Sequence, residues 1–86
     1  MPEISRFQGI TIQMFIREHN PPHFHAFYGD DVAVFSIDTG QMIQGDFPLK
    51  KASLVTAWTI LHHDELMKNW NNLAKGTKAT KIKPLS

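Results

Sequence analysis

At 86 residues, with a net charge of +1 and 42% hydrophobic side chains, the chain is long enough for one domain with one core, and it lacks the basic excess of a protein that wraps nucleic acid. No apolar run approaches the ~20 residues that cross a bilayer, and the absence of cysteine excludes a disulfide framework. There is also no basic start followed by an apolar stretch, so the expectation is a single cytoplasmic domain, 1–86, with no membrane partner.

Residues 1–8 read as a lead-in. Gly9 then opens a segment, 10–16, in which Ile10, Ile12, Met14 and Ile16 alternate with mostly polar positions, the pattern of a half-buried strand. A turn rich in proline leads to a second strand at about 24–28, and Gly29, Asp30 and Asp31 mark a tight reversal. A third strand is expected at 32–37, with Val32 and Val34 on one face and Ala33, Phe35 and Ile37 on the other. Asp38, Thr39 and Gly40 then turn the chain into a short fourth strand at about 41–45. These segments predict an antiparallel four-stranded meander over about 9–46.

The period then changes to that of a helix, over about 47–75. Pro48 suits a first turn and Asp46 is a candidate cap. Val55, Trp58, Leu61 and His62, with Leu54 beside them, share one expected face, and Leu66, Trp70 and Leu73 continue it. Asp64 is a candidate second cap, so the pattern fits one kinked helix or two helices broken near His63. Lys75 and Gly76 make a good stop. The two tryptophans are expected to hold helix to sheet, and His62 is expected as a packed residue of the apolar stripe, with a place beside His23 and His25 as the alternative for His62 or His63. Five lysines and no acid follow Glu65, making 77–86 a basic, extended tail from which Ile82 and Leu85 are available to dock on the body or a partner. The fold class is therefore α+β.

The stretch that carries candidate chemistry is Glu18, His19, Asn20, Pro21, Pro22, His23, Phe24 and His25. Its prolines stiffen the backbone and push Asn20 and Pro21 toward extended conformations, and the sequence leaves open whether Asn20–Pro21 or Pro21–Pro22 is cis. In a strand, His23 and His25 point to one face and Phe24 to the other. Two adjacent imidazoles suit proton transfer near neutral pH. They also suit a zinc ion, with His23 and His25 as ligands and His19, Glu18 or His62 as third candidate. A polar strand face whose imidazoles cap nearby carbonyls fits the same residues.

These residues, together with Pro2 to Phe7 at the start, Tyr28 and Gly29, Ile37 to Gly40, and the pattern of Trp58, His62, Glu65, Leu66, Asn69 and Trp70, give the chain its resemblance. It resembles a family of small bacterial proteins, domain of unknown function family 4160. A doubled acid, Asp30 and Asp31, stands where a single one is expected. The resemblance implies a partner encoded by a neighbouring gene, in an arrangement like a toxin and antitoxin pair, and it transfers no catalytic residues.

Three functions follow as expectations. In the first, a toxin-like protein works through a groove of His19, His23, His25 and Tyr28, with Glu18, Asn20 and the tail lysines Lys78, Lys81 and Lys83 helping to bind an anionic target such as RNA. The second is a zinc-dependent hydrolase built on His23 and His25. The third is a non-enzymatic module that binds the neighbouring gene product through a sheet edge or helix face. A domain of this size is expected to have modest stability, which leaves room for a homodimer.

Overall fold

Five strands precede two helices: β1 (Glu3–Phe7), β2 (Ile10–Gln13), β3 (His23–Tyr28), β4 (Asp31–Ser36), β5 (Met42–Gly45), α1 (Leu49–Leu61) and α2 (His63–Ala74). The structure, a computed structural model, describes residues 3–15 and 19–85. The strands form one antiparallel sheet in chain order. The fold is α+β as expected, but the meander has five strands rather than four, because residues taken as a lead-in form β1.

Two features hide β1 in the sequence. Its register with β2 slips between Glu3 and Ser5, so the neighbours Ile4 and Ser5 are both buried and the two-residue period is lost. Phe7 and Ile10 pair across a two-residue turn in which Gln8 and Gly9 have φ of 51° and 78°. That turn is usually announced by Asn or Asp before glycine, and glutamine conceals it. The expected strand at 10–16 ends earlier, at Gln13, and Ile16 lies outside the described residues.

Alternation in β3 and β4 sorts the side chains as the sequence implies. Phe24, Ala26, Ala33 and Phe35 are buried on one face, whereas His23, His25 and Val34 take the other. Phe24 and Phe35 stack with ring centres 5.8 Å apart, and the Trp58 indole meets Phe24 edge-on at 5.7 Å. Trp58 also packs 5.4 Å from Phe7, so this one helical residue ties α1 to β1 and β3. Burial of a side chain this large contributes a few kcal/mol, roughly 3 or more.

The helical stretch is two helices, broken at His62, whose φ of −114° and ψ of 26° leave the helical region. Neither proposed carboxylate caps a helix. Pro48 occupies the N-cap of α1 and His62 that of α2, neither with a side-chain hydrogen bond, while Asp64 and Glu65 stand in the first turn of α2, where negative charge suits the positive helix end. The buried stripe of α1 is Val55, Trp58 and Thr59. Leu61, expected on it, is exposed, because six residues after Val55 the helix has turned about two thirds of a revolution away. On α2, Leu66, Trp70 and Leu73 are buried as expected, joined by Asn69. The stop at Lys75 and Gly76 holds: the Gly76 amide donates to Leu73 O (3.1 Å) and that of Thr77 to Asn72 O (2.8 Å), with Gly76 at φ +84°, a Schellman closure.

The segment after α2 crosses back over the body. Both ends of the Asn69 amide hold Thr80, Nδ2 donating to its carbonyl (2.8 Å) and Oδ1 accepting its amide (2.9 Å). Trp58 Nε1 donates to Lys83 O at 2.9 Å, and the Ile82 amide donates to Ile4 O on β1 at 2.8 Å. Ile82 is buried and Leu85 packs against the core. No helix among the described residues is long and apolar enough to cross a membrane.

Candidate functional site

The face of the sheet opposite the Phe24 side carries a pocket of about 270 Å³ between the proline loop and strands β3, β4 and β5. His19, Asn20 and Pro21 contribute from the loop, His23 and His25 from β3, Val34 from β4, and Ile43 and Gln44 from β5. The loop is tied to the sheet at its C-terminal end. The Ile37 amide donates to Pro22 O at 3.0 Å, which carries the β3–β4 pairing on into the proline segment. The Asn20–Pro21 peptide is cis.

His23 is the best-defined group. Its Nδ1 lies 2.7 Å from the Pro21 carbonyl, and because a carbonyl oxygen only accepts, Nδ1–H is the donor. That fixes the tautomer and makes Nε2 the basic nitrogen when the ring is neutral. The sequence reading of an imidazole capping a nearby carbonyl therefore applies at Nδ1, and it orients the ring for use at Nε2. The His23 ring centre is 5.7 Å from that of His25 and 5.1 Å from that of Trp70. His25 meets Phe15 edge-on at 4.7 Å, pairs across the strands with Gln13 and Val34, and lies beside Phe27. The two imidazoles are an edge-to-face pair on one wall of the pocket, with the side-chain amides of Asn20 and Gln44 as further hydrogen-bonding groups there.

The candidates separate as follows. His19, Asn20, His23 and His25 come together; Tyr28 does not. It shares the strand parity of Phe24 and Ala26, packs 6.3 Å from Phe47 and lies under the Lys51 ammonium at 5.0 Å. Glu18 lies outside the described residues. Lys78, Lys81 and Lys83 are exposed but line no part of the pocket. Lys81 lies 4.0 Å from Glu3, at the β1 edge. His62 packs 5.7 Å from Trp58 and donates from Nδ1 to Glu65 at 2.6 Å, and His63 pairs with Asp64 at 3.2 Å, so neither reaches the pocket. No group of three or more His, Cys, Asp or Glu among the described residues is arranged to hold a metal ion; Glu18, one of the candidate third ligands, lies outside those residues.

Pro21 belongs to the stretch that the sequence singles out, whereas sequence reasoning missed Val34, Ile43 and Gln44 as lining residues. The parity of Val34 with Val32 was legible, and its place across from His25 follows from the two-residue turn at Gly29 and Asp30. Nothing local signals Ile43 and Gln44, whose arrival depends on the register shift between Val34 and Phe35.

Sheet, proline loop and imidazoles together define a small α+β protein with a histidine-lined pocket on its open sheet face. The chain belongs to the family of a domain of unknown function, DUF4160, whose model matches residues 9–71. That span contains the whole pocket and both helices up to Asn71, and leaves out β1 and the returning tail. Neither a comparison with curated proteins nor one with solved structures found a match.

Proposed function

We propose that the protein is the toxin-like component of a bacterial two-gene module of toxin–antitoxin type, acting through the histidine pocket on an anionic target such as RNA. The observation that carries this reading is the His23 ring, its tautomer set by the Pro21 carbonyl, beside a second imidazole at 5.7 Å. With RNA in the pocket, neutral His23 takes the 2′-hydroxyl proton at Nε2 while a protonated His25 gives its proton to the leaving 5′-oxygen. The 2′-oxygen bonds to phosphorus, the P–O5′ bond breaks, and the products are a 2′,3′-cyclic phosphate and a free 5′-hydroxyl. Acid–base assistance of this kind is worth about 10²–10⁴ in rate. The zinc-hydrolase alternative rests on His23 and His25, with His19 of the same pocket or Glu18 as third candidate.

Growth after induction tests the proposal, with three strains compared: the protein alone, the protein with its genomic neighbour, and the His23→Ala, His25→Ala variant checked for folding by circular dichroism. Arrest by the first, relieved in the other two, is the expected result. Arrest that persists in a folded double variant removes the histidines from the activity and moves the reading to a non-enzymatic binding module.

A further inference from the structure

The two edges of the sheet are treated differently. Strand β1 carries Glu3 and Arg6, and the returning tail covers it through the Ile82 amide on Ile4 O at 2.8 Å. Strand β5 has β4 as its only strand partner among the described residues, all four of its residues are exposed, and none is charged. Edge strands are blunted by lysine, proline, a cover, shortness or a bulge; β5 is short and its pairing with β4 slips between Val34 and Phe35, but it carries neither lysine nor proline.

Of the six large apolar side chains that the described residues leave exposed, Met42, Leu49 and Ile60 line the cleft beside this edge, and Ile43 stands on the edge strand itself. Val32 lies on β4, Met42 and Ile43 on β5, and Leu49, Ile60 and Leu61 on α1, the last three 83%, 65% and 69% exposed. Between β5 and α1 runs a cleft of about 550 Å³ floored by Phe35 and Met42. Its helical wall is Leu49, Ser53, Ala57 and Ile60, one face of α1 at helical spacing, with small residues in the centre and large ones at the ends.

We propose that this edge pairs with the same edge of a second copy of the chain. A two-fold axis perpendicular to the sheet runs β5 antiparallel to its counterpart, extending the meander into a continuous ten-stranded sheet. The same axis runs α1 antiparallel to the second α1, so that Leu49 meets Ile60 of the second copy and the reverse, with Ser53 and Ala57 allowing close approach between them. That reciprocity is what a two-fold interface requires of a single surface. The exposed parts of Met42, Ile43, Leu49 and Ile60 present on the order of 450 Å², against about 800 Å² per partner for a stable interface. The outer backbone of β5 and the exposed side chain of Gln41 add to that area.

Pairing also changes the histidine site. Ile43 and Gln44 line the pocket and stand on the strand beside the axis, so the two pockets open on one face either side of a shared wall. A target reaching both is held twice.

Sedimentation equilibrium over about 1–200 μM protein tests the pairing. The wild type is expected at twice its 9.8 kDa chain mass. Leu49→Lys with Ile60→Lys sets like charges against each other across the axis and raises the dissociation constant by about 100-fold or more. Leu49→Lys with Ile60→Glu sets opposite charges there and returns it to within about tenfold of wild type. All three keep one circular dichroism spectrum, since both positions are exposed. A wild type monomeric over the whole range, including one that pairs only with the product of its neighbouring gene, overturns the proposal. So does a dimer that survives the two lysines, or a lysine–glutamate variant as monomeric as the double-lysine one.

Discussion

The imidazole of His23 rests 5.1 Å, centre to centre, from the indole of Trp70, so a buried residue of the second helix supports a ring that belongs to the open face of the sheet. Held on one side by Trp70 and on another by the Pro21 carbonyl, His23 has its orientation set before any target binds. Trp70→Phe keeps an aromatic ring but withdraws it. The expected outcome is a loss of about 1–3 kcal/mol in stability and, in a protein that still folds, a fall of about tenfold in the activity of the pocket. Imidazole carbon–proton spectra check the cause, with the His23 resonances moving and those of His63 staying in place.

Asn69 is 1% exposed and spends its amide on the Thr80 backbone at both ends. Asn69→Ala removes two part-buried hydrogen bonds to Thr80 and leaves a small void where the buried amide stood, at a cost of roughly 1–3 kcal/mol. Urea denaturation measures the loss. Hydrogen exchange locates it, because the amides of Thr80 and Ile82 are expected to lose protection first.

The tail lysines are tested separately from the histidines. Replacing Lys78, Lys81 and Lys83 together with alanine is expected to change stability by less than about 0.5 kcal/mol, since the one ion pair they make among the described residues, Lys81 with Glu3, is long at 4.0 Å and solvent-facing on the lysine side. If the tail contacts a single-stranded target, the slope of log affinity against log salt falls by about 2 in magnitude. An unchanged slope takes the lysines out of the binding surface.

Two glycines with left-handed backbones distinguish strain from crowding. At Gly29, φ +58°, an added Cβ meets nothing, and Gly29→Ala is expected to cost about 1 kcal/mol. At Gly45, φ +92°, it would overlap the Val32 carbonyl on the neighbouring strand, and Gly45→Ala is expected to cost about 3 kcal/mol or more and to detach β5. Thermal unfolding of the two variants side by side gives the comparison.

Much of this protein is legible in its residues, for identifiable reasons. Strict alternation in β3 and β4 sends Phe24 and Phe35 inward and His23 and His25 outward, and a glycine after lysine ends α2. Legibility fails where one residue breaks the period. The slip between Glu3 and Ser5 and the glutamine at turn position 8 hid β1, and the helical rotation from Val55 carries Leu61 off the buried stripe. The pocket was half visible. Its loop and strand β3 are adjacent in sequence, whereas Ile43 and Gln44 arrive through two turns and a register shift that no local pattern encodes. The parity that pairs His23 with His25 also separates Tyr28 from them, a consequence available from the spacing alone.

The seam between Ile82 and Ile4 sets an order in time as well as in space. During synthesis β1 emerges before every other described element, yet its outer backbone and the indole N–H of Trp58 find their partners only when residues 82 and 83 appear. At about 5–20 residues per second, the nascent sheet carries an unstitched first strand for roughly 4–16 s. Until then, any competing strand or chaperone has access to the edge that the finished protein keeps covered.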